Sequence, residues 1–374
     1  MAAPDRSLRL AYLADPNSLH TRRWLAFFAE RGHEVVLLDP YGTDVQPGLP
    51  EPVRVVRLGP HPPRWPKLPL GLRRELRAAV ARLRPDVLHA HYVRRFGWAA
   101  SLAAFHPCVV SPWGSDVLLQ AGPLTRWWNR RALRGADLVT VTSDHVRRAV
   151  VAAGARPDRV RIVQHGVDTA AFSPGHPDPS LAERLGVNGR RVVFSPRALR
   201  PVYRQETVLE AFARLGEDAA LLMTDAAADP AYRAALEARA RELGVADRVR
   251  VVPAVPHAEM PAHLRLADVV VSVPESDSFP LTVQEAMAVG VPVVASDLPA
   301  ARAVLGEIAP EALVPVGDVE ATARALRRAL ELTPEERRDL GERLRDHVVG
   351  TGDYRSNMEL MERLYLELAE RRRG

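Results

Sequence analysis

Asp277 and Glu285 stand eight residues apart in the stretch SDSFPLTVQEAMAVGVPVVASD, residues 276–297. The first precedes a proline-containing loop. The second falls inside a helix expected from Thr282, its N-cap, to about Val289, with a buried strand at Val291–Ala295 after it. A helix start offers unpaired N–H groups and a dipole that favour phosphate. Two carboxylates repel phosphate but suit the hydroxyls of a sugar or ribose. A ligand carrying both groups, a nucleotide sugar, satisfies the whole set. A second reading uses the same residues: Thr282-Val-Gln-Glu285 has the form of a capping box, which makes Glu285 a helix cap and Asp277 an ordinary loop acid.

The elements that must position these groups alternate along the chain. Strand patterns fall at Leu8–Ala14, Glu34–Asp39, Val53–Leu58, Asp86–His91, Cys108–Ser111, Leu138–Thr142 and Val160–Val163, with helical stretches such as TRRWLAFFAERGH between most of them. GVDTAAFSPGHPDPS (166–180) has linker composition. The rhythm then restarts at Val192–Ser195, Ala220–Thr224, Val249–Val252, Val269–Val273, Val291–Ala295 and Leu313–Val316. This alternation predicts an α/β protein of two doubly wound, Rossmann-like domains with a cleft between them, ligands binding beyond the carboxyl ends of the strands. The expected boundaries are 1–172 for the first domain, 173–352 for the second, and 353–374 for a C-terminal helix crossing back to the first. Tyr354, Met358, Met361, Tyr365 and Leu368 form that helix's apolar stripe.

At 374 residues, 47% apolar and 26% charged, the chain has the composition of a globular protein too long for one ordinary core. No apolar run approaches the length of a membrane span. The opening MAAPDRSLRLAYLAD lacks the layout of a signal peptide. Cys108 is the only cysteine, which excludes an internal disulfide and makes a cytoplasmic setting the expectation. Residues 1–170 carry 25 Lys and Arg against 14 Asp and Glu, a balance of +11, whereas the whole chain is only +5. An anionic surface or substrate on the first domain explains that split, as does an arginine-rich surface without a partner.

Beyond its physical pattern, DSFPLTVQEAMAVGVPVVASDLPA resembles the Glu-x7-Glu signature of the family 4 retaining glycosyltransferases of the GT-B fold, with Asp277 in the first acidic position. NSLHTRRWLAFFAERGHEV, DVLHAHY, SPWGSDVL and FSPRALRPVYRQETVLEAF resemble, in order, further segments of that family, so the likeness covers essentially the whole chain. The resemblance implies that Glu285 holds the ribose hydroxyls and Asp277 those of the transferred sugar. It implies that the loop Ser278, Phe279, Pro280, Leu281 and Thr282 cradles the diphosphate, through the N–H groups of Phe279 and Leu281 and the Thr282 hydroxyl. Arg197 matches the phosphate-binding arginine. The usual lysine after it is missing from RALRPVYRQE, so Arg204 is the expected substitute and Arg200 the alternative. His91 matches a histidine near the reacting sugar, and His165 and Gly166 stand at the domain junction on the donor side. With Asp277 and Arg197, His91 makes up the expected catalytic set. Pro280 replaces a usual glycine and removes one N–H from the phosphate loop.

Asn17, His20, Arg22, Trp113 and Asp116 are expected on the acceptor side, although a simple turn accounts equally well for WGSD (113–116). The rings of His89 and His91 are expected on opposite faces of their strand, one in the core and one facing the cleft. His145, His257 and His263 read as surface residues. No metal site and no cofactor are expected. Tryptophans cluster with arginines at 62–77 and at Trp127 and Trp128, beside Arg126, Arg130 and Arg131; this is either core packing with a solvated arginine face or contact with an anionic membrane.

The expected protein is therefore a cytoplasmic retaining glycosyltransferase, peripheral at the membrane if that patch binds lipid. It would move a sugar from a UDP or GDP donor to a sugar, lipid-linked or other hydroxyl acceptor in polysaccharide or glycolipid synthesis. The alternatives are a sugar-nucleotide epimerase and a basic nucleic-acid-binding protein. The second is disfavoured by the acidic second half and the absence of a recognition motif, so no nucleic-acid partner is expected.

Overall fold

A computed structural model describes residues 6–59, 70–119, 122–225, 228–277 and 279–372. The chain divides into two compact units, Met1–His165 with Arg355–Gly374, and Gly166–Tyr354. The division falls ahead of residue 172 because Val167 pairs with the returning chain. Val167 N donates to Gly352 O, and Tyr354 N donates to Val167 O, each at 2.8 Å. Gly166 has φ +70°, and a Cβ there would lie 2.4 Å from the Tyr354 Cα, so this crossing requires glycine.

Among its described residues the first unit holds seven parallel strands: β1 (Arg9–Leu13), β2 (Glu34–Asp39), β3 (Arg54–Arg57), β4 (Val87–His91), β5 (Cys108–Ser111), β6 (Leu138–Val141) and β7 (Val160–Ile162). Their order is β3-β2-β1-β4-β5-β6-β7. In the central strands nearly every residue is buried, as expected of a parallel sheet covered on both faces. Register is direct, with Leu10 opposite Val35 on one side and Val87 on the other.

The second unit repeats the plan with β8 (Arg191–Ser195), β9 (Ala219–Thr224), β10 (Val249–Val252), β11 (Val269–Ser272), β12 (Val293–Ser296) and β13 (Leu313–Val314), ordered β10-β9-β8-β11-β12-β13. β12 begins later than the apolar run suggests. Gly290, at φ +82°, ends the preceding helix, and Val291 N is still bonded to Ala286 O, a Schellman-type stop.

In each unit the winding reverses beside the first strand, between β1 and β4 and between β8 and β11. A crevice for ligands forms where such a reversal leaves the strands' carboxyl ends. The C-terminal helix Tyr354–Arg371 is anchored in the first unit by polar contacts as well as by Met358 and Met361. Glu362 takes bonds from Arg31 at 2.6 Å and His33 at 2.8 Å. The Tyr365 hydroxyl lies 3.0 Å from that of Tyr12 and 2.5 Å from His89 Nδ1.

Candidate active site

Arg197 follows β8 and Asp277 follows β11, so the winding reversal of the second unit brings them together. Arg197 Nη1 lies 3.2 Å from Asp277 Oδ2, with the two side chains only 13% and 12% exposed. The Arg197 guanidinium also sits 4.3 Å from the centre of the Tyr203 ring, which the short 3-10 turn Pro201–Tyr203 presents. That turn is the lengthened part of RALRPVYRQE. Gln205 pins the loop: it accepts from Ser195 Oγ at 2.8 Å and donates to Arg197 O at 3.1 Å. Glu275 N donates to Val202 O at 2.9 Å, joining the loops after β8 and β11.

Arg204, in left-handed backbone geometry at φ 51°, lies 3.5 Å from Glu206 and 3.6 Å from Glu275. It belongs to the same pair of loops as Arg197, with its charge shared between two carboxylates.

The helix after the Asp277 loop runs Leu281–Val289, with Pro280 before it and no side-chain cap. Thr282 is therefore inside the first turn and is not the N-cap. The capping-box reading of Glu285 fails with it. Glu285 is buried, and its Oε1 lies 2.9 Å from His257 Nε2, whose ring packs on Phe172 with centres 5.1 Å apart. His257, taken from sequence as a surface residue, is a partner of the second carboxylate. No spacing in the sequence links it to Glu285. His257 is half-buried, and His263, also expected at the surface, is buried. Phe279 N donates to Asp277 Oδ1 at 3.1 Å and Leu281 N to Phe279 O at 2.8 Å, so a diphosphate must displace the loop's own bonds to reach them. Ser278 lies outside the described residues.

In the first unit, His91 ends β4 and His89 precedes it by two residues. The sequence expectation that their rings face opposite ways is wrong, because residues i and i+2 of a strand share a face. Their ring centres are 4.6 Å apart at 82°, and both are buried. His89 Nε2 lies 2.6 Å from Ser111 Oγ, which contacts Thr140 Oγ1, completing a buried chain from Tyr12 through Tyr365. His91 packs on Trp24, with Thr21 Oγ1 3.5 Å from its Nδ1; its buried Nε2 has no hydrogen-bond partner among the described residues. His165 stacks on His20 at 4.4 Å, and Trp113 stands edge-on to both. Burial pushes His89 down to about 3, and burial with neighbouring histidines pushes His91 and His165 well below the usual range. These are neutral imidazoles at physiological pH, suited to hydrogen bonding with hydroxyls.

The other residues expected on the acceptor side brace loops. Asp116 is fully buried and accepts from Val93 N at 2.6 Å, Gly114 N at 2.9 Å and Trp113 N at 3.1 Å. Burial raises its pKa against those bonds. Arg22 donates to the carbonyls of Pro16, Gln46 and Pro47 and, at 3.2 Å, to Asn17, which itself holds Asp44 O. Gly166 meets the Asp353–Tyr354 backbone. No group of three or more His, Cys, Asp or Glu is placed to hold a metal among the described residues.

Trp127 is 53% exposed near exposed Leu124 and Arg126, whereas Trp128 is half-buried and stacks on Trp98 at 6.0 Å. Residues 62–69 of the other tryptophan–arginine stretch lie outside the described residues. No helix among the described residues is long and apolar enough to cross a membrane.

Two doubly wound parallel-sheet units, the second with its ionic groups gathered at the winding reversal, define the GT-B class of fold. The chain belongs to the glycosyl transferases group 1, whose family model matches residues 180–347, and a Glycosyltransferase Family 4 model matches residues 18–171. It is 34% identical over 270 residues to a D-inositol 3-phosphate glycosyltransferase of Geodermatophilus obscurus, covering 66% of this chain and 59% of that one. A protein of the same description from Xylanimonas cellulosilytica is 30% identical over 240 residues, 59% of this chain and 57% of that one. The chain thus spans less than two thirds of the length of these curated relatives. Among solved structures, a glycosyltransferase from Rickettsia africae superposes with a TM-score of 0.81 at 15% identity, covering 97% of this chain and 99% of that one. The Anabaena HepE protein in complex with UDP and glucose gives 0.77 at 18%, covering 96% and 100%.

Proposed function

We propose that the protein is a retaining glycosyltransferase that moves a sugar from a nucleoside diphosphate to an acceptor hydroxyl. The observation that carries this reading is the Arg197–Asp277 pair at the winding reversal of the second unit, with the buried Glu285 in the helix that follows the Asp277 loop. Arg197 and Arg204 take the diphosphate, together with the N-terminus of the Leu281–Val289 helix. Asp277 takes hydroxyls of the transferred sugar, and Glu285 those of the ribose. In the first unit His91 offers a neutral imidazole to the sugar, and His20 and Trp113 flank the acceptor.

The chemistry balances without a covalent enzyme intermediate. The bond from the anomeric carbon to the diphosphate oxygen breaks, and the acceptor oxygen bonds to that carbon on the same face. The acceptor proton passes to the departing phosphate oxygen. The protein's contribution is stabilisation of charge developing on the leaving group, by arginines and a helix start, without a divalent metal.

The inositol-phosphate relatives and the basic balance of residues 1–170 both favour a small phosphorylated polyol as acceptor. A lipid-linked acceptor at an anionic membrane is the second reading, favoured by exposed Trp127 beside Arg126, Arg130 and Arg131. A panel of UDP and GDP sugars, assayed with and without polyol phosphates, tests the activity. Release of nucleoside diphosphate that depends on the acceptor, with retained anomeric configuration in the product, is expected. Conversion of the donor alone marks an epimerase instead.

A further inference from the structure

The first unit has a second concavity at the opposite ends of its strands. It lies where the chain enters β5, β6 and β7, while His91 and Ser111 stand at the strands' carboxyl ends. Its volume is about 440 Å³, within the range of small-molecule sites. Pro107 and Leu138 form apolar lining from the sheet, and Leu364 and Leu368, one turn apart, form it from the C-terminal helix.

Five arginines also line it, and three of them are matched by acids. Arg156 lies 3.0 Å from Asp158, Arg159 3.5 Å from Asp137, and Arg371 3.9 Å from Glu367. The other two meet no carboxylate among the described residues, yet their heads are held in place. Arg161 donates to Asp158 O at 3.0 Å and Val160 O at 2.9 Å. Arg372 donates to Pro85 O at 2.7 Å, with its guanidinium 4.4 Å from the centre of the Phe105 ring. Two oriented guanidinium groups with spare donors, beside apolar lining, suit a small molecule with a ring body and a phosphate.

We infer that this concavity binds a small phosphate-bearing ligand, distinct from the donor, and that the bound ligand fastens the C-terminal helix to the first unit. The coupling follows from the helix itself. One side of it supplies Leu364, Leu368 and Arg372 to the concavity, while Glu362 and Tyr365 hold Arg31, His33 and His89. A ligand bridging Arg161 and Arg372 ties the helix to β7 and stabilises both sets of contacts.

The inference does not depend on the glycosyl-transfer reading, and inorganic pyrophosphate is a suitable probe. Pyrophosphate affinity is measured by calorimetry in wild type, Arg161→Gln/Arg372→Gln and Arg197→Gln. A site retained in Arg197→Gln and weakened roughly 10- to 100-fold in the double variant is expected, the loss for a charged hydrogen bond or two. Equal affinity in wild type and double variant overturns the inference, as does loss of all binding in Arg197→Gln. Amide exchange of residues 355–372 in wild type gives a readout that needs no variant. Slower exchange with pyrophosphate than with sodium chloride of equal ionic strength supports the inference, and equal exchange overturns it.

Discussion

Arg197 and Asp277 neutralise one another across 3.2 Å, although one is assigned to the donor's phosphates and the other to its sugar. Donor binding must exchange this pair for two separate contacts. Asp277→Asn keeps an oxygen to accept from Phe279 N but releases Arg197 from a carboxylate. Nucleoside diphosphate should then bind as tightly as before or tighter, while the sugar nucleotide loses its added contacts. We expect kcat/KM to fall about 10- to 100-fold, the equivalent of a hydrogen bond to a charged group. Titrating UDP and its sugars against the variant checks this. Equal weakening of both ligands would mean that Asp277 serves only to hold its loop.

Glu285→Gln separates ligand binding from structure in the same unit. The amide oxygen can still accept from His257 Nε2, and no cap is lost because the helix has no side-chain cap. Melting temperature should change by no more than about 2 °C, the scale of 1 kcal/mol or less in a unit of this size. Nucleoside diphosphate affinity should fall by about 1.5–3 kcal/mol. A large fall in melting temperature with unchanged affinity would make Glu285 a structural partner of His257 alone.

Strand positions were legible in the sequence because parallel strands buried on both faces leave continuous apolar runs, and all thirteen strands among the described residues fall where those runs lie. The placement of Asp277 ahead of the Leu281–Val289 helix and of Glu285 within it was legible as well. Local geometry was not. Thr282 has the residue type of a cap, but Pro280 before it sets the helix start at Leu281, a choice that depends on the loop's path after β11. Contacts set by topology left no local trace: His257 against Glu285 is 28 residues distant, and Tyr365 against His89 is 276. The His89–His91 reading failed for a simpler reason, since strand alternation puts i and i+2 on one face.

Acid should destabilise the first unit well before its carboxylates titrate. The folded state holds His89 at about 3, and His91 and His165 well below 6.5, so between that folded value and 6.5 the unfolded chain binds more protons. Stability is therefore complete above about 6.5 and falls as pH drops, by up to about 1.4 kcal/mol per pH unit for each histidine. Glu362 acts in a lower window. Burial raises its pKa, but the bonds from Arg31 and His33 outweigh that and lower it, so its contribution is lost only below about 4.5. Melting scans from pH 7.5 to 5.5 should show a steady decline, shallower in His89→Gln. A flat profile to pH 5.5 would contradict neutral burial of these rings.

Removal of divalent metal should leave turnover intact. On the proposed assignment, donor binding draws Arg197 from Asp277 and Arg204 from Glu206 and Glu275, so that these arginines and the helix start supply the countercharge for a diphosphate. Assays after exhaustive chelation check this directly. Activity lost with chelator and restored by magnesium or manganese would overturn the assignment of phosphate to these groups.

Trp127 and Trp128 provide the sharpest test of the membrane reading because the fold separates their roles. Trp127 is exposed and meets Trp128 edge-on at 4.8 Å, whereas Trp128 stacks on Trp98 at the edge of the core. Leu124 adds exposed apolar surface on the same helix, Pro123–Gly135, and Arg126, Arg130 and Arg131 are exposed on it too. Each basic residue near an anionic leaflet contributes about 1 kcal/mol, so three with one inserted ring suffice for reversible attachment. Trp127→Ala should reduce sedimentation with phosphatidylglycerol vesicles and leave the melting temperature unchanged. Trp128→Ala should lower the melting temperature through lost packing. Binding by wild type should weaken steeply with salt, since screening at physiological strength acts within about 8 Å. If wild type and Trp127→Ala partition equally into neutral and anionic vesicles, the helix is an arginine-rich solvated face, and the phosphorylated polyol becomes the acceptor to pursue.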